Sequence, residues 1–153
     1  SQAGWIVPLA ASRTDDLAFA VVVSGPAVTL GEELLYSRLT GDDPGLDAAR
    51  AGLSPDEIER SMALFMGPHG YDPAPALAAL DVPTLWLLGA RDPSVPAGRS
   101  ARALRAHAEA GRPIDVRVYP DGDHSLRHAD TGRRLPYWDD VYSWLEERGV
   151  LPR

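Results

Sequence analysis

Apolar residues along the chain fall into two patterns. At 19–23 (Phe-Ala-Val-Val-Val) and 82–89 (Val-Pro-Thr-Leu-Trp-Leu-Leu-Gly) they form short, nearly unbroken runs. A run without polar alternation predicts a strand buried on both faces, as in a parallel sheet. Pro83 fits only near the start of the second strand. At 114–119 (Ile-Asp-Val-Arg-Val-Tyr) apolar and polar residues alternate, which predicts a strand nearer the sheet edge with one more polar face.

Elsewhere the apolar residues recur at helical spacing. A helix is predicted over 2–12, with Ile6, Leu9 and Ala10 on one face and Pro8 bending it. Another is predicted over 30–39. Residues 41–52 read as a polar, Gly- and Asp-rich connector. Ser54-Pro55-Asp56-Glu57 is a helix start, with Ser as N-cap, Pro at the first helical position and Glu at N3. Ile58, Met62 and Phe65, with Met66, give that helix an apolar face, and Gly67 to Gly70 stops it. A short helical turn follows at 74–80, a helix at 100–110 closed by Gly111, and a last helix at 137–147. In that last helix Trp138, Val141, Tyr142 and Leu145 form a stripe, with Gly149 beyond its end.

Strands thus alternate with helices. The predicted fold class is α/β, a mostly parallel sheet flanked by helices on both faces, with a small helical insert. The chain reads as one partial domain over 1–153, with a lid-like insert at about 41–72. No internal repeat is present.

In open α/β sheets chemistry gathers at the carboxyl ends of the strands. The run at 82–89 leads into Ala90-Arg91-Asp92-Pro93-Ser94-Val95-Pro96, and the strand at 114–119 leads into Pro120-Asp121-Gly122-Asp123-His124-Ser125-Leu126. An acid and a histidine therefore follow successive strands and face one rim. A neutral imidazole can take a hydroxyl proton near neutral pH, and a buried carboxylate can orient it. Ser1, just before the first helix, supplies a nucleophile, and Ala3 and Gly4 are small where a strand turns sharply into a helix. Asp121 and Asp123 compete for the acid role. They stand too close to His124 in sequence to sit comfortably behind its ring, so Asp92 is preferred.

These motifs, in this order, resemble the α/β-hydrolase superfamily. Ser1-Gln2-Ala3-Gly4-Trp5 is similar to the second half of a Gly-x-Ser-x-Gly elbow, with Ala3 where the family usually has glycine. Gly89, Asp92 and Pro96 fit Gly-x-x-Asp-x-x-x-Pro at the end of the acid-bearing strand. Gly122-Asp123-His124-Ser125-Leu126 resembles the histidine loop. The likeness spans nearly the whole chain and is strongest to bacterial esterases and acyl-peptidase-like hydrolases.

The resemblance implies a serine hydrolase cleaving an ester, or an amide or peptide, through an acyl-enzyme. Ser1 would be nucleophile, Asp92 the acid and His124 the base. The backbone N–H of Gln2 would be one oxyanion donor. The insert is where this family builds its lid, so Phe65, Met66 and Tyr71 are candidates to line an acyl pocket. No cofactor or metal is required. The family's first strands and its other oxyanion donor would precede residue 1. The strand at 19–23 would then offer an uncovered apolar edge, which promotes association. The alternative is an inactive fragment or a half-domain needing a partner chain.

Composition narrows the picture. The 153 residues carry a net charge of -7 with no basic stripe, which disfavours nucleic acid and an anionic membrane surface. No apolar run is long enough to span a bilayer. The absence of cysteine excludes disulfides, thiolate metal sites and a cysteine nucleophile. It fits a cytoplasmic protein. Asp42, Asp43 and Asp47 lack the spacing of a calcium loop, and no His-Glu-x-x-His is present for zinc. Plainer readings stand beside these: Ser1 as a chain start, Asp92 as a turn residue before Pro93, His124, His69 and His107 as surface histidines, and His128 in local hydrogen bonding. A third reading, with Ser1's own amine as base, requires antiparallel layers that this order of elements does not suggest.

Overall fold

The structure is a computed structural model that describes residues 2–14, 16–42 and 52–151. Ser1 and most of the connector, with Asp43 and Asp47, lie outside the described residues. The three apolar or alternating runs form β1 (Ala20–Val23), β2 (Thr84–Gly89) and β3 (Ile114–Tyr119). They make one sheet in the order β1-β2-β3, both pairings parallel, with Val22 opposite Trp86 and Trp86 opposite Val116. The central strand β2 is buried along its whole length. Its β-strand period of two sends alternate side chains into two cores. Trp86 and Leu88 join Val22, Leu77, Val95 and Leu104 on one face, and Leu85 and Leu87 join Leu126, Val141, Trp144 and Leu145 on the other. Each such aliphatic side chain contributes about 2 kcal/mol by leaving water.

The helices are α1 (Ala3–Ala11), α2 (Leu30–Thr40), α3 (Pro55–Ala63), α4 (Ala74–Ala78), α5 (Ala97–Glu109) and α6 (Tyr137–Glu147). Helices α1, α4 and α5 share the first core, and α6 covers the second. The capping box Ser54/Glu57 forms as the sequence indicates, and Thr29/Glu32 makes a second one at the start of α2. Helix α5 begins before the expected 100, immediately after Pro96, whose ring favours a helix start.

Three expected faces are corrected. In α1 the packed face is Gly4, Pro8 and Ala11, whereas Ile6 and Ala10 are exposed. Small residues are needed there because Gly4 rides directly on Gly25 and Pro26, and a Cβ at either glycine would strike the other's backbone. In α6 the buried stripe is Val141, Trp144 and Leu145, while Trp138 and Tyr142 face solvent. The rotation is set by Trp144, whose indole N–H donates to Asp115 on β3 at 2.6 Å and whose ring meets Phe19 edge-on. Helix α3 ends at Ala63, before Phe65 and Met66, so only Met62 of the expected face is buried within it.

Strand β3 lies at one edge of the sheet, and its polar positions Asp115 and Arg117 pair with Arg148 and Asp140 of α6 and the residue after it. At the other edge, β1 has β2 on one side and no strand on its other side among the described residues. No helix among the described residues is long and apolar enough to cross a membrane.

Candidate active site

All three strands run the same way, so the segments after them meet at one rim. Two glycines bring two of these segments into contact. A Cβ on Gly89 would fall on the carbonyl oxygens of Gly122 and Asp123, and a Cβ on Gly122 would press on Gly89. With no side chain at either place, the backbone after β2 and the backbone after β3 touch. Arg91 N–H then donates to Gly122 O, and Ala90 N–H to Tyr119 O, both at 2.9 Å.

Asp92 sits in the first of these segments and is 2% exposed. Its Oδ1 accepts the backbone N–H groups of Ser94 and Val95 at 2.8 and 2.9 Å, an Asx turn that fixes the carboxylate plane. Its Oδ2 lies 2.8 Å from His124 Nδ1. A carboxylate oxygen only accepts, so Nδ1 carries the hydrogen and Nε2 is left as the acceptor. The hydrogen bond and charge of Asp92 raise the His124 pKa above its ordinary 6.5, against a smaller opposing effect of burial.

His124 is held by its own loop. Asp123 Oδ1 accepts the N–H groups of Ser125 and Arg127, and Leu126 turns with φ 51° to put its side chain, fully buried, into the second core. Asp123 thus shapes the loop, and Asp92 is the carboxylate behind the ring. His128 accepts the Asp130 N–H at 3.3 Å, a local bond as expected.

The first turn of α1 reaches the same rim through the Gly4–Gly25 contact. Gln2 is the N-cap of α1, where the first backbone N–H groups have no partner inside the helix. Ser24, the residue after β1, has φ 50° and is buried, with no hydrogen-bond partner for its Oγ among the described residues. The insert residues are not gathered on one spot. Phe65 packs edge-on against His69, whose Nδ1 is 3.2 Å from Thr29 Oγ1. Met66 projects into solvent. Tyr71 lines a groove of about 340 Å³ with Trp5, Ile6, Leu9, Ala10 and Arg13.

Three groups in this region were passed over in reading the sequence. Tyr36 donates its hydroxyl to the Asp92 carbonyl at 3.1 Å, and Thr40 donates to the Pro93 carbonyl. Glu33, one turn before Tyr36, is buried, and its pKa is raised, chiefly by burial, with Asp42 and Asp92 acting in the same direction. The available signal was positional: polar residues at helical spacing on the helix that follows a rim strand.

The profile of the Prolyl oligopeptidase family (peptidase S9) matches residues 54–148, more than half of the chain and including Asp92 and His124. No curated protein sequence matches the chain. Among solved structures, the fold is similar to a chain assigned as a dienelactone hydrolase of Klebsiella pneumoniae (19% identity, TM-score 0.55, covering 94% of this chain and 48% of that one). It is also similar to the acylaminoacyl peptidase of Pyrococcus horikoshii (14%, TM-score 0.61, covering 95% and 22%). An esterase of Pyrococcus furiosus is a third (12%, TM-score 0.62, covering 96% and 51%). The chain thus spans about half of two of these structures and 22% of the third. The motif order, the parallel sheet and the family match agree: this chain belongs to the prolyl oligopeptidase family of the α/β-hydrolase superfamily.

Proposed function

We propose that the chain carries the triad of a serine hydrolase acting on a small ester, or on an amide or peptide. The observation that carries this reading is the Asp92–His124 pair, with its carboxylate buried, its tautomer set and Nε2 free to accept a proton at the rim. Ser1 Oγ attacks the substrate carbonyl while Nε2 takes the hydroxyl proton. The tetrahedral oxyanion is stabilised by the Gln2 N–H. Its collapse expels the alcohol or amine, which leaves with the proton from Nε2, and an acyl-Ser1 ester remains. Water, deprotonated by the same nitrogen, then hydrolyses that ester and regenerates Ser1. Of the insert residues only Tyr71, which lines the groove beside α1, is the proposed contributor to an acyl site.

The test is labelling with a fluorophosphonate, located by mass spectrometry. Labelling is expected at Ser1, to be abolished in His124→Ala and reduced about 10³–10⁴-fold in rate in Asp92→Asn. Labelling that persists in His124→Ala would sink the triad. A second reading, a half-domain needing a partner chain, is supported by the lack of a strand on the outer side of β1 among the described residues. It predicts no labelling of the folded chain alone.

A further inference from the structure

We propose that Tyr36 is a positioning residue for the Asp92–His124 pair, and that through Tyr36 and Thr40 helix α2 holds the turn that carries the acid. The inference rests on the reading of Asp92 and His124 as acid and base. It goes beyond the triad by assigning the alignment of the acid to a helix outside it.

The argument starts from unsatisfied carbonyls. The turn Asp92–Val95 belongs to no strand or helix, and Asp92 is buried. Among the described residues, no backbone N–H reaches the carbonyl of Asp92 or that of Pro93. A buried carbonyl without a donor is costly, so the turn would tilt until water or another donor reached it. Tyr36 supplies the first donor. The Thr40 hydroxyl reaches the Pro93 carbonyl while also lying within reach of the Tyr36 and Ser37 carbonyls of its own helix, so its single hydrogen is shared. Tyr36 and Thr40 stand four apart and therefore share one face of α2. The phenol suits the task because it stays protonated: burial, then the negative charge of Asp92, raise its pKa.

The other end of α2 is fixed to the segment that returns from the insert. Gly31 N–H donates to His69 O at 2.8 Å and Leu30 N–H to Tyr71 O at 3.0 Å. Helix α2 therefore links that segment at its N-terminal end with the acid turn at its C-terminal end. A shift at the insert would reach Asp92 through Tyr36. Since Oδ1 and Oδ2 are engaged on opposite sides, by the Ser94 and Val95 amides and by His124, a small tilt of the turn lengthens the bond to Nδ1.

The experiment is an NMR titration of His124 in the wild-type chain, Asp92→Asn, Tyr36→Phe and Thr40→Val, with thermal unfolding of each. The acids acting on His124 are Asp92 and, just past the end of α2, Asp42; Glu33 on the buried face of α2 also interacts with it, and the amino-terminal charge acts in the opposite direction. All three acids remain in Tyr36→Phe and Thr40→Val. Asp92→Asn is expected to lower the His124 pKa to its ordinary value or below, since burial then acts without the carboxylate. Tyr36→Phe keeps the ring and loses one hydroxyl. It is expected to lower the His124 pKa by about half a unit, with a smaller fall in Thr40→Val. A folded Tyr36→Phe with His124 titrating as in the wild type, even with a lower Tm, overturns the inference and leaves Tyr36 merely structural. If Tyr36→Phe does not fold, Thr40→Val decides: a lowered His124 pKa supports the proposal, and an unchanged one overturns it. If Asp92→Asn itself leaves His124 unmoved, the failure lies in the acid–base pairing on which the proposed function stands.

Discussion

The two loops that meet at the rim are built by opposite means. The acid turn holds itself only in part. Its carboxylate is gripped by local amides, but its carbonyls rely on hydroxyls from α2, more than fifty residues away in sequence. The histidine loop is nearly self-sufficient: Asp123 caps two of its amides and Leu126 pins it to the core two residues past His124. The acid is buried and the imidazole is partly open to solvent. The proposed proton transfer would need this division. In the proposed reaction His124 must reach substrate, and it sits on a loop with its own scaffold. The carboxylate must stay dry and aligned, so the surrounding fold fixes it.

The largest test of this contrast is Leu126→Ala. Removing a fully buried side chain should cost about 2–5 kcal/mol in denaturant unfolding and loosen the histidine loop while leaving the acid turn's amides protected. Unchanged stability would show that Leu126 does not pin the loop. Next is Gly89→Ala, where the added methyl strikes backbone oxygens that cannot swing aside. A loss of about 1–3 kcal/mol is expected, with fluorophosphonate labelling falling in the chain that remains folded. Labelling at the wild-type rate would mean that the two loops need not touch.

A pH series comes next in size. The folded pKa of His124 is raised, so the pair's contribution to stability is full below about 6.5 and is lost as pH rises through the folded value. The proposed activity runs the other way, because only the neutral imidazole accepts a proton. The acid limb of kcat/KM should lie above 6.5 and move down in Asp92→Asn. An acid limb at or below 6.5 would contradict the pairing. The smallest effect is expected from Arg91→Ala. Arg91 bridges the two loops to Asp130 at 2.6 Å, but both side chains are exposed. No measurable change in Tm is expected, since exposed pairs contribute little. A clear drop would mean that the loops are held together from outside as well as through glycine.

The strands were legible because two are short, nearly unbroken apolar runs and the third alternates. Ile114–Tyr119 and Tyr137–Glu147 fall where the pattern puts them. Asp92 and His124 were legible because each stands at a fixed distance past a strand. What escaped depends on contacts between distant parts of the chain. The inward face of α1 follows from Gly25, and the rotation of α6 from Asp115. Tyr36 carries no local mark that it serves a carbonyl in another loop. Hydrophobic spacing shows that a helix is amphipathic. It does not show which side a small-residue contact will claim.

The parallel pairing of β2 with both neighbours has a consequence in time. Parallel strands must be joined by a crossover, and the two here differ in reach. The segment from 90 to 113, largely α5, closes β2 onto β3, whereas 24–83 must close before β1 joins. The longer closure costs about 0.8 kcal/mol more in chain entropy if both segments are flexible. The unit bearing Asp92 and leading to His124 should therefore form early in folding, and β1 with α2 should dock late. Kinetic φ-values near zero for Val22→Ala and well above that for Val116→Ala would bear this out, and the reverse order would refute it. On that schedule Asp92 and His124 meet first, and the hydroxyl of Tyr36 arrives afterwards.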